Sequence, residues 1–130
     1  DHICTGLQLA NFWQDVARDL DIGRVYVPEE DRVHFGYSDA DLQARRFTPA
    51  FGNLLRFEVE RARQLFLQGL PLVPLLPAEV RLDIELFARG GLAILDKIAA
   101  QGYNVWQRRP ALNKWEKLGL LARAIWRRWW

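Results

Sequence analysis

The sequence predicts an all-α fold, and three observations carry that prediction. Apolar residues recur at helical spacing through 51–66 and again through 80–99. Helix boundaries are written in capping chemistry: Ser38 ahead of Asp39 and Asp41, Thr48 ahead of Pro49, Gly23 and Gly69 as stops. Only residues 22–37 read as a loop with short extended pieces, because Pro28 biases Val27 away from helix.

Taken in order, residues 1–21 read as one helix, with Ile3, Leu7, Ala10 and Val16 as apolar positions. A short helix is expected from Ser38 to about Phe47. The next runs from Pro49 to about Gln68, with Phe51, Leu54, Leu55, Val59, Ala62, Leu65 and Phe66 on one face. Leu70 to Pro77 carries three prolines, which bars a regular helix interior, so it reads as a packed connector with buried leucines and valine. The longest helix is expected over 78–101, with Val80, Ile84, Phe87, Leu92, Leu95, Ile98 and Ala99 on its apolar face. Gly90-Gly91 interrupts it, at a cost of about 1 kcal/mol per glycine relative to alanine. Close packing, a kink or room for a ligand would each account for the pair. After a connector over 102–112, a last helix follows Asn113. Trp115, Leu118, Ala122, Ile125 and Trp129 form one apolar stripe there, with Lys114, Lys117, Arg123, Arg127 and Arg128 around it.

Composition narrows the function classes. A chain of 130 residues is one small domain or part of a larger one. Half of it is hydrophobic, which excludes a disordered chain. A formal charge of +2 is too mild to argue for nucleic acid. One cysteine, Cys4, forbids an internal disulfide and fits a reducing compartment. No run of apolar residues is long enough to span a bilayer. The chain has no methionine and opens directly on helical pattern, so the expectation is a fragment or a trimmed chain. Among isolated reactive residues, His2 and Cys4 form no metal pair with anything downstream, His34 stands alone, and Ser38 has no recruiting histidine and acid.

The chemistry concentrates in Gln8 to Pro28, QLANFWQDVARDLDIGRVYVP. At about 100° per residue Gln8, Asn11, Asp15 and Asp19 fall within an arc of roughly 80°. Two carboxylates and two amides on one helical stripe suit a hard divalent cation, and Mg²⁺ in turn suits a diphosphate. A solvated acidic stripe paired with Arg18 or Arg24 is the plainer reading of the same spacing. Arg24 is either a two-point diphosphate grip or a partner for Asp19 or Asp21. Tyr26 either aims its hydroxyl at a ligand or packs as an aromatic anchor. Arg108 and Arg109, adjacent in the second connector, are further cations able to attract phosphate.

The full string, Q-x-x-N-F-x-Q-D-V-x-x-D followed after four residues by R-x-Y-x-P, resembles the second aspartate-rich signature of the squalene/phytoene synthase family. Gln8, Asn11, Phe12, Gln14, Asp15, Val16, Asp19, Arg24, Tyr26 and Pro28 carry the match. Cys4 stands where many members have Gly, and Gln14 stands where phytoene synthases commonly have Arg. The N-F-W-Q-D-V wording and the later R-R-P-x-L-x-K-W segment most resemble the hydroxysqualene-forming branch of the hopanoid pathway. The resemblance implies that residues 1–130 are the C-terminal part of one domain, an isoprenoid-synthase-type helical bundle around an apolar cavity, with the N-terminal part absent. It implies a prenyl diphosphate substrate and Mg²⁺ held by Asp15 and Asp19 with Asn11 assisting. Gln8, Asn11, Arg24 and Tyr26 are then substrate contacts. The expected reaction ionises presqualene diphosphate and captures the carbocation with water, giving hydroxysqualene. The alternatives are a presqualene diphosphate, squalene or phytoene synthase, or a non-catalytic helical module that binds a membrane or a partner. The fragment by itself is expected to be inactive. The expected location is the cytoplasm. For the last helix two readings stay open, a basic tryptophan-bearing helix lying in a membrane interface, or a helix docked on the protein body with solvated arginines.

Overall fold

The computed structural model describes residues 2–128. Among them the chain forms seven α-helices and one 3₁₀ segment, and no strand. The helices are α1 (His2–Gln14), α2 (Val16–Asp21), α3 (Glu29–Phe35), α4 (Asp39–Gln43), α5 (Pro49–Gly69), α6 (Ala78–Ala100) and α7 (Lys114–Arg128), with the 3₁₀ segment Leu70–Leu75 between α5 and α6. The expected all-α architecture is what the chain adopts.

Three helices make the core. α1 packs against both α5 and α6, and α5 against α6. Ile3, Ala10 and Trp13 from α1 meet Phe51, Leu54, Leu55, Val59, Ala62 and Phe66 from α5 and Ala88, Leu95 and Ile98 from α6. Phe66 is the point where all three helices converge. Its ring is fully buried. A Cβ on Gly6 of α1 would lie 3.3 Å from three of its ring atoms, and a Cβ on Gly91 of α6 would lie 2.3 Å from its Cζ. The absence of both side chains lets the two backbones close on one aromatic ring. Of the two glycines in α6, Gly91 therefore serves close packing, while Gly90 faces open space.

The caps on α4 and α5 are as the sequence writes them. Ser38 Oγ accepts from the Asp41 N–H at 3.0 Å and Thr48 Oγ1 from the Phe51 N–H at 3.1 Å. α4 is shorter than expected, ending at Gln43, because Arg45 turns into the left-handed region at φ 54°. The clasp that follows is held by Tyr37, whose hydroxyl reaches the carbonyls of Asp41 and Arg46 at 3.1 and 2.7 Å.

Three other expectations need correction. Residues 29–35 are helix rather than extended loop: Pro28 sits at the N-cap, Glu29, Glu30 and Asp31 fill the first turn, and Gly36 closes the helix at φ 73°. α3 lies on α5, with Phe35 and Phe57 rings 5.4 Å apart. In the 3₁₀ segment only Val73 is buried, and Leu72 and Leu75 face outward. Along α6, Val80 and Phe87 are likewise exposed, and the buried line runs through Ala88, Gly91, Leu95 and Ile98.

α7 starts on a reciprocal cap. The Glu116 N–H donates to Asn113 Oδ1 at 2.8 Å and the Asn113 N–H donates to Glu116 Oε1 at 3.0 Å. Lys97 of α6 adds an ion pair to the same carboxylate at 2.7 Å, which pins α7 to the body. The side that docks carries Leu120 and Ala124, and Ala124 is buried. The anticipated stripe of Trp115, Leu118, Ala122 and Ile125 points the other way, into the open. Its last member, Trp129, lies outside the described residues.

Candidate functional site

The helix expected over 1–21 is two helices. Asp15 lies between α1 and α2 at φ −108° and ψ 20°, outside helical geometry. The hydrogen-bond ladder nevertheless continues across it: the Asp15 N–H reaches the Asn11 carbonyl at 3.0 Å and the Asp19 N–H reaches the Asp15 carbonyl at 2.7 Å. The break coincides with two long-range ties. Gln14 is buried, and its Nε2 donates to the Pro110 carbonyl at 2.7 Å. The residues beside these two also pair: Arg109 Nε donates to Asp15 Oδ1 at 2.6 Å. The connector before α7 is thus stitched across the end of α1, and it brings a guanidinium onto the first aspartate.

Gln8 and Asn11 are exposed on α1, while Asp15 and Asp19 are half-buried at its end. Burial raises the Asp19 carboxyl above the ordinary aspartate range, and the nearby Asp15 charge raises it further, with Arg24 and Arg18 opposing. Two carboxylates crowded this way are relieved by a cation shared between them. Their hard oxygen donors, with the Asn11 amide one turn away, fit Mg²⁺. Among the described residues no group of three His, Cys, Asp or Glu side chains comes together.

Arg24 follows the Gly23 turn. Its backbone N–H is bound by the Asp19 carbonyl at 2.8 Å, and its side chain is exposed beside the carboxylate pair. Asp21 is taken by Arg45, which also donates to the Ala17 carbonyl at 3.2 Å, so Arg24 is left to the Asp19 side. Tyr26 stacks on Phe12, ring centroids 4.1 Å apart and planes within 6°. Its ring therefore anchors the loop against α1. Phe12, Asp19, Arg24 and Tyr26 border a cleft of about 10 Å³, no larger than one water. Tyr26 and Arg24 come together with Asp19. Gln8 lies two turns up the same helix. The role of Arg109 as partner to Asp15 was not legible beforehand. The adjacent arginines were visible as cations, but nothing local links position 109 to position 15.

The apolar space lies at the far end of α1. Ile3, Gly69, Val73, Leu76, Val80 and Ile84 line an open groove of about 500 Å³. From His2 to Asp15 the axis covers about 20 Å at 1.5 Å per residue. One helix thus presents an acidic pair with cations at one end and an apolar groove at the other.

The squalene/phytoene synthase family model matches residues 1–116. The chain belongs to the squalene/phytoene synthase family. Its relatives there include a phytoene synthase of Thermus thermophilus, 36% identical over 119 residues, which are 92% of this chain and 41% of that protein. Among solved structures, squalene synthase HpnC from Alicyclobacillus acidocaldarius matches at TM-score 0.77 and 44% identity, over 80% of this chain and 40% of that one. A dehydrosqualene synthase superposes at TM-score 0.84 over 99% of this chain and 46% of that one. Its 21% identity supports the isoprenoid-synthase fold alone. The chain spans about a quarter to two-fifths of the curated relatives' length.

Proposed function

We propose that this chain forms the diphosphate-facing half of a synthase that converts presqualene diphosphate to hydroxysqualene. The observation that carries the reading is the gathering of Asp15, Asp19, Arg24 and Arg109 at one end of a helix whose other end opens on an apolar groove. A prenyl diphosphate has that same division, a multiply charged anionic head and a long hydrocarbon tail.

Asp15 and Asp19, with Asn11, would hold Mg²⁺, which supplies positive charge to the departing diphosphate. Arg24 is free to bind phosphate oxygens, and Arg109 can turn from Asp15 to the same group. These cations lower the cost of separating charge as the C–O bond breaks and its electron pair leaves on the diphosphate. The apolar groove holds the hydrocarbon tail, away from the charged head. One water oxygen bonds to the rearranged cation and loses a proton, giving an alcohol with no reductant consumed. The carboxylates act electrostatically rather than as general acids.

The squalene side of the family is favoured because the HpnC match, at 44% identity, exceeds the 30–36% of the phytoene synthases. Phytoene or presqualene diphosphate formation by head-to-head condensation is the second reading, supported by those same phytoene synthase relatives. Because the chain lacks a full donor set among its described residues, residues 1–130 alone are expected to be inactive.

Asp15→Ala in the full-length protein tests the assignment. Turnover of presqualene diphosphate should fall at least a hundredfold, with the circular dichroism melt unchanged. Unchanged turnover would refute the catalytic reading and favour a helical binding module.

A further inference from the structure

Among the described residues only Arg45 and Tyr103 hold a positive φ without being glycine. Arg45 sits at φ 54°, a conformation kept by a side chain only where its surroundings over-determine it, and such positions gather at functional sites. Three contacts on two segments hold Arg45. Its Nη1 donates to the Ala17 carbonyl at 3.2 Å, and its Nη2 pairs with the Asp21 carboxylate. Both acceptors belong to α2, the six-residue helix that carries Asp19. A helix that short does not hold its shape alone, and a fork of two donors from outside supplies what its length lacks. The third contact leaves α2. The guanidinium carbon lies 5.9 Å from the centroid of the Trp106 ring, which packs on the Phe51 ring of α5 at 5.2 Å. Trp106 stands in the connector that brings Arg109 onto Asp15. One planar group thus joins the segment bearing Asp19 to the segment bearing Arg109.

We infer that Arg45 is a positioning residue for the carboxylate pair: it sets the place of Asp19 relative to Asp15 and Arg109, and with it the affinity of the site for a divalent cation and diphosphate. The inference rests on the reading of Asp15 and Asp19 as metal ligands, and it is independent of which product forms. The role belongs to arginine in particular. Lysine keeps the charge as a point donor, and a point donor does not hold the Ala17 carbonyl, the Asp21 carboxylate and the Trp106 face together. Glycine removes the guanidinium and adopts φ 54° without strain, so the turn after α4 survives the substitution. Asp21→Asn takes away one charge and leaves the Ala17 bond and the ring contact in place.

The test is isothermal titration of the full-length protein with MgCl₂ in the presence of inorganic diphosphate, beside a thermal melt without metal and steady-state kinetics with presqualene diphosphate. Arg45→Gly should bind Mg²⁺ roughly tenfold more weakly, the loss typical of removing a group that orients a metal ligand, while its metal-free melt stays close to the parent's. The Mg²⁺ concentration for half-maximal turnover should rise by the same factor, and excess Mg²⁺ should restore most of the turnover. Arg45→Lys should lie within a few-fold of the glycine variant, and Asp21→Asn within a few-fold of the parent. Parent-like Mg²⁺ affinity in Arg45→Gly would overturn the inference. So would parent-like affinity in Arg45→Lys, which carries the test by itself should the glycine variant fail to fold. A parent that takes up no Mg²⁺ with diphosphate would overturn the reading of the carboxylates and this inference with it, an outcome distinct from a parent that binds and a variant that binds equally.

Discussion

The two neighbouring glycines of α6 should respond to alanine with opposite signs. A Cβ at position 91 would sit 2.3 Å from Phe66 Cζ and 2.9 Å from Cε1 and Cε2. Carbon contacts are comfortable at about 3.5–4.0 Å, so this one intrudes by more than an ångström. Phe66 has nowhere to retreat, being fully buried and already 3.3 Å from the place a Gly6 Cβ would occupy. Overpacking of this kind costs about 1–3 kcal/mol, against which alanine returns up to about 1 kcal/mol of helix propensity. Gly91→Ala should therefore destabilise the chain by about 1–2 kcal/mol. At position 90 a Cβ meets nothing within 4 Å. Gly90→Ala should then gain most of the propensity term, up to about 1 kcal/mol. Urea denaturation of both variants and the parent measures this, through midpoint shifts at constant slope. A Gly91→Ala chain as stable as the Gly90→Ala chain would refute the three-helix packing around Phe66.

Two further outcomes follow from buried and half-buried charge. Glu58 is fully buried on α5, and burial pushes its carboxyl up to about 8, helped by the neighbouring Asp31 carboxyl, with Arg61 opposing at 3.7 Å. The folded chain keeps this proton until about pH 8, whereas the unfolded chain releases it near pH 4.5. Stability from this group is thus full below about pH 4.5 and is lost as pH rises through about 8, a loss of roughly 5 kcal/mol at about 1.4 kcal/mol per unit. Urea midpoints should fall across that window and flatten in Glu58→Gln; an unchanged slope in the variant would contradict the assignment. Arg109→Gln should shift stability by less than about 1 kcal/mol, because its pair with Asp15 is partly exposed, yet raise the KM for the diphosphate roughly tenfold. Steady-state kinetics beside a thermal melt separate the two effects.

Local chemistry made much of this fold readable. Thr48-Pro49 and Gly69 bracket α5 to within a residue, because caps act through neighbours in the chain. α3 was hidden by Pro28, which reads as a breaker until it is seen as the residue ahead of an acidic first turn. The break at Asp15 rests on partners 94 and 96 residues away in Arg109 and Pro110, and no local pattern contains them. The orientation of α7 was equally hidden. Both Leu120–Ala124 and Leu118–Ile125 offer apolar surface, and the side that docks is the one carrying the Lys97–Glu116 pair. At the site, the spacing of Asp15 and Asp19 identified the carboxylate pair, while the guanidinium that answers it came from tertiary structure.

The most direct test of the proposed reaction is a product assay on the full-length protein with presqualene diphosphate and Mg²⁺, without reductant. Hydroxysqualene and released diphosphate are the expected products. No turnover of presqualene diphosphate, together with condensation of a supplied allylic prenyl diphosphate to phytoene or to presqualene diphosphate, would contradict the account and move the chain to the condensing branch of its family.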